Sequence, residues 1–310
     1  MENAPRSRCA RFRSDPWGRT ARDRRIALRQ PRQGPRLRAP GGGRGAIPPI
    51  RTWNHAGPSP AEVDGLLLQV VRDRRVASVP EVIAVMDRID RCLPENDGLK
   101  WFNLLYKTVT ERVADDLDAG LWRAPRWLAR LIVVFADLYF DAIERYLVDA
   151  ETAPSVWRVL FDRRRRPGIE PVQHCMAGIN AHINRDLPVA IVRAWEAEGT
   201  TTYSLHSAEY HDYRRVSELL DEVEVAMLKQ LATGIFKTIG EIFGGAEGWA
   251  AMRVVRQARL LAWLNAIHLA RVGLTSDEGR RRIQALDAAS ARFSQAMLIA
   301  GLTRGGYGPI

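Results

Sequence analysis

The stretch Gln173-His174-Cys175-Met176-Ala177-Gly178-Ile179-Asn180-Ala181-His182-Ile183-Asn184-Arg185-Asp186-Leu187 holds two of the six histidines of the chain, among residues that otherwise suit a helix core. At about 100° of helix per residue, His182 and Asp186 are neighbours four apart, at the border of the apolar stripe. A carboxylate beside an imidazole fixes its tautomer and raises its basicity. A general base needs that, and so does the second shell of a metal ligand. His174 stands two turns further back and shares a site with His182 only if another helix supplies the remaining groups. The candidate catalytic residues are therefore His182, Asp186 and His174, with Asn180, Asn184 and Asp141 in support. A divalent metal is the candidate cofactor, with His174, His182 and Asp186 as its ligands. The competing reading is structural, with His and Asn side chains satisfying one another inside a central helix.

Other chemistry is thinly represented. The sequence has no glycine-rich nucleotide loop, no HExxH, no GxSxG and no Glu followed three residues later by His, so the familiar phosphate-loop, zinc-protease, serine-hydrolase and di-iron patterns do not apply. Asp137 and Asp141 are four apart and repel unless a cation intervenes, and Arg145, four beyond Asp141, is an ordinary partner for it. Asp115, Asp116 and Asp118 read as a polar helix end. His206, His211 and Asp212 lie where a loop enters a helix and suit capping. Trp101, Trp127, Trp157, Trp195 and Trp263 fall in amphipathic patterns that predict burial.

The elements that must position these residues all have helical periodicity. Ser59-Pro60 opens a helix through Leu66, Leu67, Val70 and Val71, and Ser78 with Glu81 opens a second that ends before Pro94. A third spans about 96–118 and a fourth about 125–148. A short helix near 155–161 leads into the quartet Arg163 to Arg166, which reads as a surface loop. The next begins at Pro171 and continues past Pro188 to Glu198. Pro188 removes the bond to the Asn184 carbonyl and should push Leu187 away from helical geometry, kinking the helix there. Further helices are expected over 207–231, 235–243 and 247–272, with a last one opened by Thr275 to Glu278. Short connections favour antiparallel neighbours, so the fold class is all-α, a multi-helix, bundle-like single domain.

Residues 1–52 carry fourteen arginines against Glu2, Asp15 and Asp23, a net +11, which leaves −1 for residues 53–310 of the whole-chain +10. Interleaved with Pro, Gly and Ser, and lacking apolar periodicity, residues 1–56 form an arm expected to be disordered. The globular domain is placed at 57–303 and a flexible tail at 304–310. The arm is a passive tail or a polycation for nucleic acid, and the chain-wide preference for Arg over Lys favours the first. Cys9, Cys92 and Cys175 share no metal-knuckle spacing and fit a reducing cytoplasm. No apolar run approaches the roughly 20 residues of a membrane span, so no membrane partner is expected.

The run Arg165-Arg166-Pro167-Gly168-Ile169-Glu170-Pro171-Val172-Gln173-His174, leading into Ala181-His182-Ile183-Asn184-Arg185-Asp186-Leu187, resembles an all-helical family of bacterial, actinobacterial-type proteins of unknown function. Trp101-Phe102-Asn103-Leu104-Leu105-Tyr106 and Leu138-Tyr139-Phe140-Asp141 agree with it. The likeness covers roughly residues 60–300 and implies a helical fold with no assigned activity. The residues themselves favour a small-molecule enzyme of hydrolytic or proton-transfer type, with a pocket between helices. The alternative is a non-catalytic helical interaction module whose basic arm contacts nucleic acid.

Overall fold

Proline, serine and aspartate set the helix starts. Ser59 accepts the Glu62 N–H at 3.3 Å while the Glu62 carboxylate accepts the Ser59 N–H at 2.8 Å, a reciprocal cap. A computed structural model describes residues 57–231 and 246–300, with the side chains of 57–220 and 255–300. The expected arm, the expected helix over 235–243 and the expected tail lie outside the described residues.

The described elements are α1 (Pro60–Arg72), α2 (Val79–Cys92), α3 (Gly98–Asp118), α4 (Pro125–Val148), α5 (Ser155–Arg163), α6 (Pro171–Ala181), α7 (Leu187–Glu198), α8 (Ala208–Leu231), α9 (Ala246–Val272) and α10 (Asp277–Met297). A 3-10 turn, Ala150–Thr152, precedes α5, and a π turn, His182–Asp186, joins α6 to α7. No strand occurs among the described residues, and the fold is all-α. They fall within one compact unit, Asn54–Ile310.

α4 is the most apolar of the early helices and lies centrally, against α7, α1 and α2. α3 packs on α2 and α6, α9 on α7, and α10 covers α5 and α6. The crossing of α3 and α6 is close because glycine stands at both contacts. A Cβ on Gly98 would sit 2.2 Å from the His174 ring, and one on Gly178 would sit 2.4 Å from the Phe102 ring. Trp157, Trp195, Trp263, Tyr139, Tyr213 and Phe140 are fully buried, so large rings fill the space between helices, each removing a large apolar area from water.

In α1 the buried stripe is Val63, Leu67 and Val71, while Leu66 is exposed. Two expectations need correction. At α2, Ser78 makes no side-chain cap, and Glu81 accepts from the Ala77 N–H and the Ser78 hydroxyl, so the expected reciprocal box does not form. The arginine quartet is only partly a surface loop, with Arg166 exposed and Arg164 buried. Arg164 is buried against Asp97, at 3.2 Å, and Asp64, and Arg165 reaches the same two carboxylates. The pairing ties α1 to the start of α3, whose N-cap is Asp97.

Candidate functional site

Leu187 donates its N–H to the carbonyl of His182, five residues back, which makes one wide turn of His182–Asp186. Leu187 itself keeps helical angles, φ −59° and ψ −42°. The departure from helical geometry expected at Leu187 is therefore absent. The widened turn lies upstream, and the proline falls in the first turn of α7, where a missing N–H breaks no bond.

The turn brings His182 and Asp186 together in the interior. Nδ1 of His182 lies 3.4 Å from Asp186 Oδ2, and both residues are buried. A carboxylate facing Nδ1 places the ring proton there and leaves Nε2 as the acceptor. Asp186 is held from two further directions. Trp157 donates its indole N–H to Oδ2 at 2.8 Å and Arg185 donates to Oδ1 at 2.6 Å. Burial alone would raise the Asp186 carboxyl, but Arg185 and His182 outweigh it and hold the group below the usual carboxylate range. For His182 the balance runs the other way: burial lowers its basicity more than Asp186 restores it. The site is thus a neutral imidazole beside an ionised carboxylate.

The imidazole stacks flat on Phe135, with ring centres 3.4 Å apart and planes at 9°, and meets Tyr106 edge-on at 4.4 Å. His182 lines a cavity of about 80 Å³ whose walls are mostly apolar side chains, many of them from α3, α4 and α8. Its polar neighbours are mostly satisfied. Thr110 donates to the Tyr106 carbonyl, Tyr213 donates to the Arg259 carbonyl, and Arg259 donates to Ser217 and to the Tyr213 carbonyl. Two polar atoms of cavity-lining residues have no hydrogen-bond partner, the Tyr106 hydroxyl and His182 Nε2. The Tyr106 hydroxyl is kept protonated by burial, reinforced by the charge of Asp186.

The remaining candidates go elsewhere. His174 does not join His182. Its ring packs on Gly98 with Nδ1 unpartnered, and burial lowers its pKa to about 4. Asn180 donates to the Ser290 carbonyl and to Ser294 Oγ, and Asn184 donates to Asn180 Oδ1, so these two amides fasten the π turn to α10. Asp141 is half-exposed and paired with Arg145 at 2.8 Å. Among the described residues no group of three or more His, Cys, Asp or Glu side chains could hold a metal ion. The expected triad of metal ligands is therefore not assembled, and both oxygens of Asp186 already serve N–H donors. Asp212 caps at long range, accepting the N–H groups of Arg123 and Ala124 just before α4.

Trp157, Tyr106, Phe135 and Arg259 were not legible as site residues, because they come from four other helices with no shared motif. Arg185 had a signal, its place directly beside Asp186 in the polar stretch.

The fold and site define an all-helical protein built around a buried histidine–aspartate pair. The chain belongs to a family of unknown function, DUF5995, whose model matches residues 79–300. That span runs from the first residue of α2 to just past α10. No curated protein and no solved structure matches the chain.

Proposed function

We propose that the protein is a small-molecule enzyme in which His182, oriented by Asp186, accepts a proton from a hydroxyl group bound in the cavity. One observation carries this reading: the unpartnered acceptor His182 Nε2 and the unpartnered donor Tyr106 Oη belong to adjacent rings on one apolar cavity. Leaving both unmet costs roughly 1–3 kcal/mol each. A single hydroxyl that reached both would donate to Nε2 and accept from the tyrosine. Water in that position makes the chemistry hydrolytic, and an alcohol makes it proton transfer. The cavity is small, so the ligand is a compact, mostly apolar molecule or the end of a longer one.

Histidine-selective ¹⁵N NMR of the full chain, titrated with 2-propanol and separately with acetone, tests the reading. The two probes match in size, but acetone has no hydroxyl proton to donate. The expected result is a shift of the His182 Nε2 resonance with 2-propanol, absent with acetone and weakened in Tyr106→Phe. Equal responses to both probes, or none, would overturn the proposal.

The flat stack on Phe135 favours a second reading, in which the imidazole is a structural core ring. Under it, no probe moves the resonance.

A further inference from the structure

A second and much larger recess lies between the C-terminal half of α3, the turn before α4 and the first turns of α8. It encloses about 660 Å³, within the range of roughly 300–1,000 Å³ typical of small-molecule sites. Four arginines line it: Arg112 from α3, Arg123 from the turn, and Arg214 and Arg215 from α8. The acids facing them are Asp116 and Glu218.

Asp116 is already committed. It is buried and accepts from Arg215 at 3.2 Å, with Arg112 at 3.9 Å. Arg215 also donates to the Leu121 carbonyl and lies over the Trp122 ring at 5.0 Å, so its guanidinium is held in place before any ligand arrives. Arg123 and Arg214 are exposed and form no ion pair with a described residue. The backbone at Arg123 is nevertheless fixed, because its N–H donates to the buried Asp212 at 3.1 Å. The N-terminus of α8, a 24-residue helix, opens on the same recess and adds the positive end of its dipole. His206 and His211 stand on the rim.

We propose that this recess binds a small phosphomonoester. Guanidinium groups arriving from three separate elements suit a tetrahedral anion, whose three oxygens accept from different directions. A planar carboxylate is satisfied by one arginine fork. Leu205, exposed, and Tyr210 flank the cationic groups and give the organic part of the ester an apolar seat. The site is independent of His182. Tyr213, Val216 and Leu220 of α8 face the buried cavity, whereas Tyr210, Arg214 and Glu218 face the recess.

The test is isothermal titration calorimetry of the full chain with phenyl phosphate, inorganic phosphate and benzoate. Phenyl phosphate should bind more tightly than either of the others. Arg123→Ala and Arg214→Ala should each weaken it about tenfold or more, the equivalent of one charge-assisted hydrogen bond. Their melting temperatures should stay at the wild-type value, because neither side chain forms an ion pair with a described residue. Arg166→Ala, an exposed arginine outside the recess, should change nothing. Absence of phenyl phosphate binding, or affinity equal in the wild type and both variants, overturns the proposal. So does a result in which the two variants lose binding of a duplex DNA oligonucleotide while phenyl phosphate binding is untouched.

Discussion

The indole N–H of Trp157 and the imidazole of His182 converge on one oxygen, Asp186 Oδ2, at 2.8 Å and 3.4 Å. The shorter bond comes from α5 and the longer from the π turn itself, so α5 shares with Arg185 of the turn in positioning the carboxylate. Trp157→Phe keeps most of the ring packing and deletes the donor. A lost hydrogen bond to a buried charge costs about 1.5–3 kcal/mol. The expected outcome is that loss in urea denaturation with an unchanged slope. His182 should become more basic in NMR titration, because Oδ2 then serves it without competition.

His182→Phe separates the functional from the structural reading. A phenyl ring preserves the stack on Phe135 and removes an imidazole that burial disfavours, while Trp157 and Arg185 still serve Asp186. Stability should change by no more than about 1.5 kcal/mol in urea denaturation. A variant that fails to fold would show that the core requires the imidazole itself, and would count against the proton-acceptor role.

What the sequence made legible was local. α4 starts at Pro125 and ends at Val148, as its periodicity predicts, and His182 and Asp186 meet because four residues is nearly one turn. The misses are tertiary. Arg164 and Arg165 read as solvated because their partners Asp64 and Asp97 are far away in the chain. The proline rule pushed Leu187 out of helical geometry, whereas Leu187 stays helical and the irregularity is a π turn just before it. His174 and His182 share a helix run, yet α3 turns one toward Gly98 and the aromatic cluster takes the other. Periodicity assigns a helix face, but the packed neighbours decide what that face meets.

Acid should destabilise the protein through its histidines. Burial lowers the pKa of His174 from 6.5 to about 4, and that of His182 in the same direction. A folded-state value below the unfolded one means that the unfolded chain takes up the proton first. The stability concerned is fully present above pH 6.5 and is lost as the pH falls toward 4. For His174 the shift corresponds to about 3 kcal/mol at most. Urea midpoints at pH 7 and pH 4.5 should therefore differ strongly in the wild type, and by less in His174→Leu. An identical difference in the two proteins would show that His174 titrates normally.

Gly178→Ala should damage the site from behind. The added methyl would lie 2.4 Å from the Phe102 ring, which has little freedom to swing because it is buried edge-on against Tyr139 at 5.2 Å and Trp157 at 5.4 Å. Overpacking of this kind costs about 1–3 kcal/mol. Phe102 also meets His182 edge-on at 5.6 Å, so relief of the clash must push either the α3–α6 contact or the imidazole. The expected result is a lower urea midpoint together with a displaced His182 resonance. Gly65→Ala, on α1 with open space around the glycine, serves as the control and should leave the His182 resonance in place. Wild-type stability in Gly178→Ala would mean that α3 and α6 separate freely, and that their close crossing does not set the position of the histidine.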